Sequence, residues 1–148
     1  MYYTFDRYLE RDERDWNAEG LAGQRSGEQN HQRRLQAIKD KRVSGTNPAL
    51  KLEEYAGLYR CQMYGDIEVS VKNGQLELDF KPAPDLAAKL EHWHYNTFEI
   101  EWKEEHAWFD FGTLQFVLDN NGEVVELSFD VPNYDIFFHE IHAQKVRD

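Results

Sequence analysis

From Gly57 onward, apolar side chains recur at every second position, in runs too short for helices and separated by turn residues. That repeat belongs to a strand with one face against a core, because successive side chains on a strand point to opposite sides. Ile67, Val69 and Val71 alternate with Glu68, Ser70 and Lys72, and Leu76, Leu78 and Phe80 with Glu77 and Asp79. Between the two runs stands Asn73-Gly74, the pair favoured in two-residue hairpins because both residues tolerate positive φ. Residues 57–63 read as a strand before them, and Pro82 and Pro84 mark a loop after them.

The centre of the pattern is 88–102, AKLEHWHYNTFEIEW, which reads as two antiparallel strands joined at Asn96-Thr97. On the second arm Phe98, Ile100 and Trp102 alternate with Glu99 and Glu101. On the first arm Leu90, His92 and His94 share one face, and Glu91, Trp93 and Tyr95 the other. Rings on both faces suit a curved sheet. Further strands follow at Leu114, Phe116 and Leu118, and at Val125, Leu127 and Phe129, with a last one over 135–143. About eight short strands linked by turns, none by a crossover helix, are best closed into an antiparallel barrel, which removes exposed edges. An open sandwich is the alternative.

Before the strands, residues 2–19 are helix-prone with a thin stripe of Phe5, Leu9, Asp12 and Trp16, helped by Tyr8. Gly20, Gly23 and Gly27 are expected to interrupt that helix, and Ser26 with Gln29 to cap a second one ending near 42. Residues 44–48, SGTNP, are a linker by composition. The expected organisation is therefore a helical extension and linker over 1–48 and a barrel over 49–148. Two weakly amphipathic helices need another surface to lie on.

Charge narrows the partners. Residues 1–48 carry nine Lys/Arg and eight Asp/Glu, whereas 49–148 carry eight and twenty. An acidic body repels phosphate backbones and anionic lipid surfaces, so neither nucleic acid nor a membrane is an expected partner. Cys61 is the single cysteine, which excludes an intrachain disulfide and a cysteine-built zinc cage. No apolar run approaches the roughly 18 residues of a spanning helix, and no apolar core of a signal peptide is visible, so a soluble chain is expected.

Tyr55-Ala56-Gly57-Leu58-Tyr59, Tyr64-Gly65 with Ile67 and Val69, Leu76-Glu77-Leu78, and Leu90-Glu91-His92-Trp93-His94-Tyr95-Asn96-Thr97-Phe98 together resemble a known family. It is the accessory domain of unknown function found C-terminal to serine β-lactamase-like and penicillin-binding-protein-like hydrolases. The similarity continues through Phe116, Asp119, Gly122 and Val124 and covers about residues 49–140. It implies a lipocalin-like barrel and, if the chain is like its parent hydrolases, an extracytoplasmic setting. The hydrolase domain that holds the family's catalytic residues is missing from this chain, so no catalytic role carries over.

The residues themselves agree on catalysis. Ser26, Ser44, Ser70 and Ser128 are the four serines; none has lysine three positions on, and there is no Gly-x-Ser-x-Gly elbow. Lys72-Asn73-Gly74 is a hairpin turn before it is a Lys-Thr-Gly element. His92 and His94, two apart on a strand, can face one metal, with His139 or His142 as a third ligand. Histidines hydrogen-bonding within the fold are the preferred reading, and no cofactor or metal is expected. Glu77, Asp79, Glu99 and Glu101 alternate with apolar residues and read as a solvated face. Trp93, Tyr95, Phe98 and Trp102 belong to an aromatic set that either fills the barrel or lines a cavity for a small apolar ligand. The leading expectation is a non-catalytic module acting by docking to a hydrolase domain, in cis or trans, or by homodimerisation. A small-ligand-binding barrel comes second, and a metalloprotein using His92 and His94 third.

Overall fold

Asn73 and Gly74 take φ of 52° and 77°, the paired left-handed conformation of the expected two-residue turn. On either side of it β2 (Gly65–Lys72) and β3 (Gln75–Phe80) pair from Lys72↔Gln75 to Ile67↔Phe80. A computed structural model describes residues 16–133 and 137–147. The remaining strands are β1 (Gly57–Cys61), β4 (Ala87–His94), β5 (Thr97–Trp102), β6 (Thr113–Leu118), β7 (Val124–Asp130) and β8 (Ala143–Lys145). Each pairs antiparallel with the next, and Tyr59↔Lys145 and Arg60↔Gln144 join β8 to β1. The result is the expected closed eight-stranded antiparallel barrel.

Its interior is the apolar half of each alternation. Ile67, Leu78, Leu114 and Leu127 are wholly buried, and Leu90, Phe98 and Ile100 are 2 % exposed. Tyr55, from the short helix α2 (Leu52–Tyr55), packs its ring 4.7 Å from Phe116, which meets Phe98 edge-on at 5.4 Å. The Tyr59 hydroxyl donates to the Tyr55 carbonyl at 2.6 Å, so a buried polar group is satisfied within the core. These rings thus pack against one another within the core.

Three local expectations are corrected. The central hairpin turns one residue earlier than Asn96-Thr97: Tyr95 and Asn96 form the loop, Tyr95 at φ 47°, and Thr97 opens β5. The cause is a bulge between His92 and His94 that inserts Trp93 as an extra residue and shifts the register. Gly20, Gly23 and Gly27 do not interrupt a helix. Instead α1 runs unbroken from Trp16 to Asp40, its glycines separated by strong helix formers such as Leu21, Ala22, Gln24 and Arg25. Ser26 is therefore inside the helix rather than capping one, and one helix replaces the expected second start. The helical expectation for 2–15 lies outside the described residues. Finally, the last strand is Ala143–Lys145 rather than 135–143. Phe138 and Ile141 are both buried, a three-residue spacing met by the 3-10 turn Phe138–Glu140, while Asp135 and Ile136 lie outside the described residues.

Close contacts divide the chain into one unit ending at Ile38, described by α1, and a second from Lys39 onward that holds the barrel. No described helix is long and apolar enough to cross a membrane.

Candidate functional site

The bulge at Trp93 breaks the β4–β5 ladder and frees the carbonyls of His92 and Trp93 for another donor. Arg42 supplies it. Its Nε donates to the Trp93 carbonyl and its Nη2 to that of His92, both at 3.1 Å, and its guanidinium carbon sits 4.5 Å from the Trp93 ring centre. The next residues continue along the hairpin tip. The Val43 N–H donates to His94 Nδ1 at 3.2 Å, the Tyr95 N–H to Thr46 Oγ1 at 3.0 Å, and the Ala49 N–H to Asn96 Oδ1 at 3.0 Å. Asn96 Oδ1 also accepts from the Tyr55 hydroxyl at 2.6 Å. The string His92–Asn96 is thus a receptor for the chain's own linker, residues 42–49.

The two histidines divide the work. His92 Nε2 donates to the Tyr95 carbonyl at 3.0 Å, whereas His94 accepts at Nδ1. Burial first, then the positive charges of His92 and Arg42, hold the His94 pKa below its usual value. His139 and His142 lie on the other end of the barrel, His142 Nδ1 being 2.8 Å from Glu126. Among the described residues no three or more of His, Cys, Asp and Glu come together as a metal site.

The remaining candidates go elsewhere. Tyr95 is 56 % exposed at the tip, and Phe98 points into the core. Trp102, at the far end of β5, packs its ring 4.9 Å from Phe109 and 5.9 Å from Phe138. Of the carboxylates read as solvated, Glu101 is exposed, but Glu77 is shared by Lys103 at 2.6 Å and Lys72 at 3.2 Å. Desolvation raises the Glu99 pKa, against the lowering influence of Arg42 and Lys39.

A second surface, which the sequence reading missed, occupies the opposite end. In an up-and-down barrel the β1–β2, β3–β4, β5–β6 and β7–β8 connections gather at one mouth. There Phe80, Phe109 and Phe138 floor a cleft of about 600 Å³, with Pro82 and Pro84 on one wall and Trp108 on another. His106 stacks on Phe109 with centroids 4.6 Å apart, and its Nε2, like Nε1 of Trp102, is buried and has no hydrogen-bond partner among the described residues. Tyr64 and Trp108, which line the cleft, are 38 and 67 % exposed, and Met63 and Phe137, on connections at the same mouth, are 71 and 55 % exposed. Large apolar residues inside loop segments were the available signal, and alternation does not register them.

Fold and surfaces together define a small all-β barrel module with a linker clasp at one end and an apolar cleft at the other. Residues 41–145 match the family described as "Domain of unknown function (DUF3471)", and the chain belongs to that family. A solved structure, the C-terminal domain of penicillin binding protein Rv0907, is similar at 22 % identity with a TM-score of 0.53, covering 72 % of this chain and 94 % of that one. That likeness shows the fold. No curated protein matches the chain.

Proposed function

We propose that the barrel is a non-catalytic accessory module that docks through its mouth onto a hydrolase domain of the serine β-lactamase-like or penicillin-binding-protein-like kind. The carrying observation is that four large exposed apolar residues, Met63, Tyr64, Trp108 and Phe137, lie on connections at one mouth, Tyr64 and Trp108 lining the cleft itself. Single exposed apolar residues are ordinary, but four from three connections at one mouth form an interaction surface. Aromatic and methionine anchors are the types enriched at protein contacts. The partner is suggested by the neighbour, a C-terminal domain of a penicillin binding protein. By the same likeness the place of action is extracytoplasmic. Lack of Ser-x-x-Lys and of a nucleophile elbow supports a role without chemistry.

A second copy of the chain is the weaker partner, because residues 49–148 carry twenty acidic against eight basic residues and two such mouths repel. A small apolar ligand is a second reading, favoured by a cleft volume within the range of small-molecule sites. Docking is preferred because a ligand inside the cleft leaves the exposed rim uncovered.

Sedimentation velocity of the full chain with the purified hydrolase domain of a penicillin-binding protein from the same organism tests the reading. A complex is expected at micromolar concentrations, weakened about tenfold or more by Trp108→Ala with Phe137→Ala. No complex at about 100 µM, or self-association through the same rim in its place, would sink it.

A further inference from the structure

Building on the docking reading, we infer that the part of the partner entering the cleft is a chain segment with an aliphatic or aromatic side chain flanked by lysine or arginine. The floor asks for the apolar part: Phe80, Phe109 and Phe138 are 4, 7 and 2 % exposed and offer no polar atom. The walls ask for the charge. Asp85 and Glu105 both line the cleft and are exposed, no Lys or Arg lines it, and neither carboxylate has an ion-pair partner among the described residues.

Several other carboxylates of the barrel are matched at home. Asp66 is held by Arg60 at 2.7 Å, Asp79 by Lys81 at 2.8 Å, Glu77 by Lys103 and Lys72, and Asp119 by Arg147. By its own lining the cleft holds two carboxylates beside an apolar floor and, among the described residues, no Lys or Arg. Trp108, its ring largely exposed, adds a face that attracts an ammonium or guanidinium group. An acidic or phosphorylated partner would meet repulsion at Asp85 and Glu105. A lone small amine would satisfy the carboxylates but leave the apolar walls at Tyr64, Pro82 and Pro84 uncovered, so the occupant is a segment of a protein surface.

The test is a nuclear magnetic resonance titration of the ¹⁵N-labelled full chain with three blocked pentapeptides. Each places leucine at the centre of an alanine frame, flanked on both sides by arginine, glutamine or glutamate. The arginine peptide is expected to move the amide signals of Asp85, Glu105 and Trp108 with half-saturation in the low-millimolar range. It should bind about fivefold or more better than the glutamine peptide, with the glutamate peptide weakest. That advantage should vanish in about 0.5 M salt. It should shrink sharply in Asp85→Asn with Glu105→Gln, whereas Trp108→Ala should weaken both the arginine and glutamine peptides, the arginine one more.

Equal binding of the three peptides, or no shift at about 20 mM, overturns the inference. So does hexylamine binding as well as the arginine peptide, which would assign the cleft to small amines. Hydrolase-domain binding without any peptide preference would leave the docking reading standing and remove this one. The peptide preference without hydrolase binding would do the reverse.

Discussion

His94 holds the linker through a nitrogen that must stay unprotonated. Its Nδ1 accepts the Val43 N–H, and burial together with the nearby charges of His92 and Arg42 lowers its pKa. A base whose folded pKa is depressed stabilises the fold fully above its unfolded value, about 6.5, and loses that contribution as pH falls through the folded value. Chemical denaturation from pH 8 to 5 should therefore show stability declining below about 6.5. In His94→Asn, which keeps an acceptor but cannot titrate, that part of the decline should be absent. A wild-type curve no steeper than the variant's would count against the clasp. The string around His94 stood out in the sequence, yet its purpose did not, because Arg42 and Val43 lie 51 residues from Trp93 and His94. Alternation reports which face a residue occupies, not which distant backbone groups reach it.

At the scale of elements, α1 keeps three glycines in 25 residues. Each glycine costs about 1 kcal/mol relative to alanine inside a helix. A Cβ at position 23 would meet nothing within 4 Å, so Gly23→Ala removes the entropy cost without a clash. The expected gain is about 1 kcal/mol in helix stability, read as a higher midpoint for the helical signal in thermal circular dichroism. An unchanged or lower midpoint would contradict a continuous helix there. Strand elements were legible wherever one face is wet: β2, β3 and β5 appear in the sequence close to where they form. The 138–140 turn was not, because Phe138 is drawn into the aromatic cluster at the mouth, meeting Phe109 at 5.0 Å and Phe129 at 6.3 Å. Tertiary burial there overrides the period-two pattern.

For the whole molecule, closure depends on a strand of three residues. Ala143–Lys145 pairs with β7 through Leu127↔Ala143 and with β1 through Arg60↔Gln144, and the Val146 N–H extends the seam to the Leu58 carbonyl at 2.8 Å. A chain stopped after His142 would leave β1 and β7 with unpaired edges, which template further strand pairing. Such a chain should have a lower Tm and raised light scattering at concentrations where the full chain stays clear; an equally stable, non-scattering product would refute that dependence. Local chemistry alone was enough to specify about eight antiparallel strands and the Asn73-Gly74 turn, because side-chain alternation and turn preference act between near neighbours, and it favoured a closed barrel over an open sandwich. Only the folded chain decided that His92 to Asn96 grip the linker while Trp102 lies at the opposite end. It also decided that Met63, Trp108 and Phe137 lie at one mouth. Those residues are far apart in sequence and become neighbours when the barrel closes and gathers alternate connections at one mouth.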